Sequence, residues 1–273
     1  MKIGICAPST PFTRDDAERV TSLAKDYVPE AQLIWHEQCF AEDGHFAGKD
    51  AVRCVAFCDL ANDPALDAVW FVRGGYGAAR ITESAIAHLG SAAHGKTYMG
   101  YSDGGNLLGA LYKAGIGQPV HGPMPGDIRR DGGEAAVKRA LGYLVRRDPA
   151  ALEPNIVTGQ KYAAFNLMTL AMMVGTPLMP DLSGHVLMIE EVSEHFYAFD
   201  RAMFNVTSHL SDSGLTGLRI GRVSDIPEND RPFGEDADAI ARRWCERTAI
   251  EYLGVADIGH DADNKIVPFG VAT

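Results

Sequence analysis

The 273-residue sequence has few features that would set it apart from ordinary globular proteins. No apolar run reaches the length of a membrane-spanning helix, and the first residues lack the long apolar region and cleavage site of a secretory signal. No internal repeat or low-complexity segment is evident. Because 46% of the residues are hydrophobic and 22% are charged, we expect one large or two ordinary folded domains, soluble and cytoplasmic.

Positive charge is also scarce. The chain has 25 Lys and Arg residues against 36 Asp and Glu residues, which gives a formal net charge of −11. A mean field of this sign repels nucleic acid and anionic membrane surfaces. We therefore expect neither of them as the main partner.

Cysteine is limited to five residues, an odd number in a chain large enough to fold without disulfides. This favours reduced thiols. Cys54 and Cys58 have the spacing of a metal-binding pair, but they share a predicted helix face with apolar residues, so core packing is the better account. The sequence predicts no metal site and no cofactor.

Strands and helices alternate along the first half of the chain. The run 68–72 is continuously apolar, which is typical of a strand buried on both faces of a parallel sheet. The pattern predicts a flavodoxin-like parallel-sheet domain over 1–145 and a linker over 146–160. A smaller C-terminal α/β domain is predicted over 161–273.

Local patterns predict three further features of secondary structure. Thr13, followed by Asp16 three residues later, predicts the N-cap of the first helix. The apolar segment 165–174 predicts a helix, and the segment 265–271 predicts a final strand.

The segment 100–104 reads G-x-S-x-G between an apolar run and a helical pattern. A strand that turns at once into a helix holds its corner residue in a strained conformation, with the side chain at the end of the sheet. Ser102 occupies that corner. Gly, Ser and Asp also suit any tight turn, so the motif alone leaves that alternative open. A serine nucleophile would further need a base and an orienting group.

A glycine-rich turn over 73–77 follows the third predicted strand. Its spacing fits neither the dinucleotide-binding fingerprint nor the Lys-containing phosphate loop. Loops after neighbouring parallel strands lie side by side, so this turn should face Ser102. Backbone N–H groups of Gly74 or Gly75, together with that of Asp103, could then stabilise an oxyanion.

The second half offers a carboxylate at a strand end, Glu190, and a histidine just beyond another strand, His260. Singly, each has a simpler explanation as a solvated acid or a surface loop residue. A metal site of His260 with Asp257, Asp261 and Asp263 is a rival interpretation. Alternating acids without a second nearby His make a poor transition-metal site.

Motifs spread over nearly the whole chain resemble the LD-carboxypeptidase family, which contains muramoyltetrapeptide carboxypeptidases and microcin C immunity peptidases. The motifs, in family order, are Ala7-Pro8-Ser9, Arg73-Gly74-Gly75-Tyr76-Gly77, Gly100-Tyr101-Ser102-Asp103, His121-Gly122-Pro123-Met124, Gly175-Thr176-Pro177, Leu187-Met188-Ile189-Glu190 with Tyr197 and Asp200-Arg201, and Gly259-His260 before Pro268-Phe269-Gly270. The sequence departs from the pattern of many members at 104–106, at 164–165 and at Glu191.

The resemblance implies a serine peptidase with an active site at the interface of two domains. Carried over, Ser102 is the nucleophile, His260 the base and Glu190 the orienting carboxylate. The implied reaction is release of a C-terminal D-amino acid, D-alanine, from a cytoplasmic murein tetrapeptide, and the implied assembly is a homodimer. Two alternatives stay open: an immunity-type peptidase that cleaves peptidyl- or aminoacyl-nucleotides, and a non-catalytic two-lobed protein that binds a small ligand.

Substrate-binding candidates lie at the same predicted sheet edge. Arg73 and Arg80 could hold the free carboxylate that a carboxypeptidase must recognise. Tyr76 belongs to the same turn, and His121 ends the fifth predicted strand. A surface salt bridge is an equally good account of either arginine.

Overall fold

The computed structural model describes residues 1–272. In the first half, five strands alternate with five helices: β1 (Lys2–Cys6), α1 (Arg14–Tyr27), β2 (Gln32–Trp35), α2 (Asp50–Asn62), β3 (Ala68–Phe71), α3 (Ala78–Ala87), β4 (Thr97–Gly100), α4 (Gly105–Ala114), β5 (Gln118–His121) and α5 (Gly133–Arg146). The second half contains β6 (Lys161–Asn166), α6 (Leu167–Met173), β7 (His185–Val192), α7 (Phe196–Leu210), β8 (Gly217–Ser224), α8 (Ala237–Arg247), β9 (Tyr252–Val255), β10 (Val267–Pro268) and β11 (Gly270–Val271).

The first sheet has the strand order β10-β5-β4-β3-β1-β2. Strands β1 to β5 are parallel, and their order is that of flavodoxin-like sheets. Alternate residues of the central strands face opposite cores: Val69 and Phe71 pack with α2, α3 and α4, whereas Trp70 packs with α1 and α5. The predicted fold class of this domain is confirmed.

The second sheet has the order β11-β6-β7-β8-β9, and its four longer strands are parallel. Its core is continuous with that of the first sheet, because Phe165 and Met173 pack closely against α4 at Gly105 and Gly109. The fold is therefore a two-domain α/β fold with mixed, mostly parallel sheets, as predicted. The short strand β10 crosses back and pairs antiparallel with β5 of the first sheet.

The three local predictions fared differently. Thr13 caps α1 and accepts a hydrogen bond from the backbone N–H of Asp16, as predicted. The helix predicted from residue 165 is wrong at its start, since strand β6 continues to Asn166. Asn166 itself caps α6 by accepting the Thr169 N–H at 3.0 Å. The single final strand is also wrong: Phe269 separates β10 from β11, which join different sheets, and Gly270 begins β11 with a positive φ of 93°.

Several properties concern the chain as a whole. None of the helices within residues 1–272 combines the length and apolarity required to cross a membrane. All five cysteines are free thiols. In the same described range, no group of three or more His, Cys, Asp or Glu side chains is arranged to hold a metal ion.

Candidate active site

Ser102 lies at the corner between β4 and α4. Its φ of 57° places it in the left-handed region, which is strained for a residue with a side chain. The turn is possible because Gly100 leaves room for the ring of Phe71; a Cβ at position 100 would lie 2.7 Å from that ring. This is the strand-turn-helix context that the G-x-S-x-G pattern requires.

Glu190 and His260 are in direct contact. The Glu190 side chain is fully buried at the end of β7, and its Oε2 lies 2.5 Å from Nδ1 of His260. Burial by itself lowers the pKa of His260, but the charge and hydrogen bond of Glu190 outweigh this effect and raise the pKa above its ordinary value. The carboxylate therefore favours the imidazolium form and fixes the orientation of the ring.

Arg222 stabilises the loop that carries His260. The Arg222 guanidinium forms ion pairs with the carboxylates of Asp257 and Asp261, with a distance of 2.8 Å between its Nη2 and Asp261 Oδ1. The side chain of Asn264 accepts the backbone N–H of Gly259 at 3.1 Å. The carboxylates of Asp257 and Asp261 are therefore neutralised by Arg222 and fix the loop of His260, so they are not free to serve as the ligands of the rival metal site.

Gly74 adjoins the nucleophile. A Cβ at this position would lie 2.7 Å from Ser102 Oγ and 3.5 Å from the backbone nitrogen of Asp103. The space beside Oγ is therefore open because residue 74 has no side chain. Gly75, at φ 106°, turns towards Thr10 instead. The loop after β3, which carries Gly74, and the loop after β4, which carries Ser102, therefore lie side by side, as predicted from parallel-strand topology.

The side chain of Asp103 holds the elbow in place. Its buried carboxylate accepts hydrogen bonds from Ser9 Oγ at 2.6 Å and from the backbone N–H of Ala78 at 2.8 Å, and Asn106 contributes a third. Burial raises the pKa of Asp103 despite these hydrogen bonds. The Ala7-Pro8-Ser9 segment thus supports the turn that carries Ser102.

A cavity of about 440 Å³ unites these groups. Ser102 and His260 both line it, although residues 1–272 include no hydrogen bond between Ser102 Oγ and His260. The other lining residues come from the loops after β3, β4 and β5 and from the end of β7, and they are Arg73, Gly74, Gly75, Tyr101, Met124, Gly126, Asp127, Arg129, Arg130 and Val192. Catalytic hydrogen bonds are often long before substrate binds, so the shared cavity is the more informative observation.

Three predicted binding residues lie away from this cavity. Tyr76 is exposed and packs against Phe46, with ring centroids 6.1 Å apart. Arg80 forms an ion pair with Asp50 at 2.9 Å.

His121 is the third. It is buried behind Tyr101, and burial lowers its pKa to about 4. Its Nε2 lies 3.2 Å from Asn264 Oδ1. That oxygen already accepts the Gly259 N–H, so Nε2 is the protonated nitrogen and donates.

Sequence reasoning placed the segment after β5 at this edge but missed its charged residues. Pro125–Arg129 forms a 3-10 turn that brings Asp127, Arg129 and Arg130 to the cavity. A signal was available, since two adjacent arginines follow a buried parallel strand at the edge that carries Ser102. Tyr101, which packs against His260 with ring centroids 4.8 Å apart, was also missed as a cavity residue.

Comparison with known proteins shows which family the chain resembles. Models of the LD-carboxypeptidase N-terminal and C-terminal domains match residues 3–122 and 161–273. The murein tetrapeptide carboxypeptidase of Pseudomonas aeruginosa is 25% identical over 296 residues, covering 98% of this chain and 91% of its own length. A Synechocystis protein named as a carboxypeptidase is 30% identical over 88% of this chain and 79% of its own length.

Solved structures show the same fold. The muramoyltetrapeptide carboxypeptidase of Oxalobacter formigenes superimposes with a TM-score of 0.80 at 25% identity, covering 100% of this chain and 96% of that one. The microcin C7 self-immunity protein MccF, in complex with aspartyl sulfamoyl adenosine, gives a TM-score of 0.79 at 17% identity, covering 99% and 91% of the two chains. At 17% identity, the similarity to MccF shows only that the two proteins share a fold.

Proposed function

The chain belongs to the LD-carboxypeptidase family and is a serine carboxypeptidase, and on this premise we propose that it releases a C-terminal D-amino acid, D-alanine, from a cytoplasmic murein tetrapeptide. The proposed mechanism is acyl transfer by Ser102, His260 and Glu190. One observation carries it: a strained serine and a histidine bonded to a buried carboxylate face the same cavity.

In the proposed first step, Ser102 Oγ attacks the carbonyl carbon of the terminal peptide bond while His260 Nε2 accepts the Oγ proton. The C–N bond then breaks, and His260 passes the proton to the leaving amine. Water hydrolyses the acyl-enzyme in the second step by the same route. Glu190 stabilises the imidazolium form of His260 in both steps.

Charge on the substrate oxygen needs donors near Ser102. We assign this role to the backbone N–H of Asp103 and to an N–H of Gly74 or Gly75, because Gly74 and the Asp103 nitrogen border the open space beside Oγ and Gly75 lines the same cavity. Loss of one such donor typically costs about 3 kcal/mol of transition-state stabilisation. Arg73, which lines the same cavity, is the proposed binding residue for an anionic part of the peptide.

The test is mass spectrometry of purified enzyme with murein tripeptides, tetrapeptides and pentapeptides, beside a peptidyl-nucleotide analogue. We expect loss of the terminal D-residue from the tetrapeptide, and Ser102→Ala should lower turnover by several orders of magnitude while the protein stays folded. Activity within about tenfold of wild type in that variant would refute the serine mechanism. Cleavage of the nucleotide analogue alone would favour the immunity-type alternative, and no turnover on any substrate would favour a binding protein.

The family resemblance also supports a homodimeric assembly and the division into 1–145, 146–160 and 161–273, with the active site between the two domains. Light scattering coupled to size-exclusion chromatography measures the first of these directly. A mass near that of one 29.4 kDa chain would contradict the dimer.

A further inference from the structure

Three arginines line the cavity that contains Ser102, and they are unequally neutralised. Arg129 forms an ion pair with Asp16 at 2.6 Å, and Arg130 forms one with Asp127 at 2.8 Å. Arg73 forms no ion pair with any carboxylate in residues 1–272; its hydrogen bond, to the carbonyl of Pro11, is long at 3.5 Å. A guanidinium that is half-buried without a counter-ion is costly unless a ligand supplies one.

Burial and the neighbouring charge of Arg129 lower the pKa of Arg73. Both effects disfavour the charged guanidinium, and a bound anion would oppose them. The local excess of positive charge also contrasts with the formal net charge of −11 for the chain. The cavity is therefore suited to an anionic substrate.

The guanidinium of Arg130 is held in a fixed orientation. Its Nε donates to Asp127 Oδ1 at 2.8 Å, and its Nη2 lies 3.4 Å from the hydroxyl of Tyr101. That hydroxyl in turn donates to Asp127 at 2.7 Å, while the other Asp127 oxygen accepts the Met124 N–H at 2.8 Å. Nη1 has no hydrogen-bond partner within the described residues, so Arg130 retains donors for a ligand.

Arg130 and Arg73 are connected to different catalytic groups. Arg130 contacts Tyr101, whose ring packs against His260. Arg73 immediately precedes Gly74, which borders Ser102 Oγ, and its Cβ packs against Gly126. Arg130 is thus connected to the base through Tyr101, whereas Arg73 belongs to the loop that carries Gly74.

This arrangement separates two parts of the substrate. His260 must reach the amine nitrogen of the leaving residue, and the carboxylate carbon of that residue is two bonds from the same nitrogen. The terminal carboxylate therefore lies on the His260 side of the cavity. An anionic group on the residue that becomes the acyl-enzyme lies on the other side of the scissile bond from that carboxylate, so a second cation is needed to bind it.

We propose that Arg130 binds the terminal carboxylate of the leaving residue and that Arg73 binds a second carboxylate on the acyl side, so that the preferred substrate is a peptide with two carboxylates. This inference rests on the proposed function. It names Arg130 as a specificity-determining residue, with Asp127 and Tyr101 as the positioning residues that hold it.

The experiment uses the full chain and a matched set of LD-peptides that differ only in two groups. One pair has a terminal acid or a terminal amide, and the other has an acid or an amide in the side chain before the scissile bond. For wild-type enzyme we expect each amidation to lower kcat/KM by about 10- to 100-fold, which is the range of a charge-assisted hydrogen bond.

The variants assign each preference to one arginine. Arg130→Gln should reduce the terminal acid-to-amide ratio to within about threefold of one and leave the side-chain ratio unchanged. Arg73→Gln should reduce the side-chain acid-to-amide ratio to within about threefold of one and leave the terminal ratio unchanged. Arg80→Gln is the control, because Arg80 lies outside the cavity and pairs with Asp50, and it should preserve both ratios.

Each part of the proposal can fail separately from the proposed function. If wild type cleaves the terminal amide as fast as the acid, or if Arg130→Gln keeps the wild-type ratio, the assignment of Arg130 is wrong. A side-chain ratio near one in wild type refutes the role of Arg73. If Arg130→Gln does not fold, the terminal acid-to-amide ratios of Arg130→Lys and of the wild type decide whether Arg130 binds the terminal carboxylate. Failure of wild type to cleave any LD-peptide would instead refute the proposed function.

Discussion

The exchange of Glu190 for Gln tests the proposed triad most sharply, because the neighbouring Glu191 offers a matched control. Both side chains are buried, with exposures of 0% and 2%, and the change in each is isosteric. Only Glu190 contacts His260, at 2.5 Å. An amide at position 190 cannot stabilise the imidazolium that forms during acyl transfer, and it can favour the wrong tautomer of the ring.

The expected loss is large. Removal of the orienting carboxylate from a Ser-His-acid triad lowers kcat by about 10⁴-fold, equivalent to about 5 kcal/mol at 1.36 kcal/mol per tenfold. The pH profile should change as well. The neutral ring of His260 is the base, so kcat/KM of the wild type should rise with pH through the raised pKa of His260. In Glu190→Gln burial remains without the opposing charge, and the limb should move to lower pH.

Glu191→Gln should behave differently. Its carboxylate accepts the side-chain amide of Asn166 at 2.7 Å and the backbone N–H groups of Met168 and Val192 at 2.8 and 2.9 Å, so it secures the start of α6. Replacing one acceptor oxygen with an NH₂ group should cost about 1–3 kcal/mol of folding free energy. Turnover well below the melting temperature should change by only a few-fold.

The assay is kcat/KM for an LD-peptide across pH 5 to 9, with thermal unfolding of both variants measured in parallel. If Glu191→Gln lost turnover by three orders of magnitude while Glu190→Gln kept it, the triad would be built on the other carboxylate. An unchanged acid limb in Glu190→Gln would show that Glu190 does not set the pKa of His260.

Three further predictions concern other parts of the molecule. Gly74→Ala should lower kcat by at least about 100-fold in a protein that still folds, because its Cβ would crowd Ser102 Oγ and the oxyanion site; near-normal kcat would contradict this geometry. The pKa of His121 is about 4 in the folded protein and 6.5 in the unfolded chain, so the unfolded chain binds more protons between these pH values. The free energy of unfolding therefore falls as the pH drops from 6.5 to 4, by about 3 kcal/mol in total. Urea unfolding of His121→Gln should lack this loss, and an equal acid slope in both proteins would refute the assignment. Residues 1–150 and 151–273 made separately should each be inactive in the peptide assay, and turnover by either alone would refute a shared active site.

The sequence could predict features that depend on local patterns. Ser102 was recognisable because glycines, an apolar strand and a helix surround it, and these dictate the strained turn without reference to distant residues. The parallel order of the first sheet followed from buried apolar strands such as 68–71, which need helices on both faces.

Features that depend on tertiary contacts were harder to predict. The segment 161–173 is mostly apolar, so periodicity could not separate β6 from α6; the capping side chain of Asn166 was the main local signal. Arg130 is held at the cavity by Asp127, three residues before it, and by Tyr101 in the loop after β4; the contact with Tyr101 is tertiary, and no spacing in the sequence encodes it. Tyr76 was predicted from its motif position, yet its ring turns towards Phe46.

The return of β10 to the first sheet has a consequence for biosynthesis. Strand β5 ends at His121, but its outer partner begins at Val267, so the ribosome adds about 145 residues before that edge is covered. At about 5–20 residues per second, this leaves the edge open for roughly 7–30 s. Pro119 within β5 lacks an N–H group and limits strand addition by another chain during this interval. His260 lies seven positions before β10, so we expect nascent chains to acquire peptidase activity only when the first sheet is completed. Ribosome-released chains ending before Val267 should therefore be inactive and should aggregate more readily when Pro119 is replaced by Val.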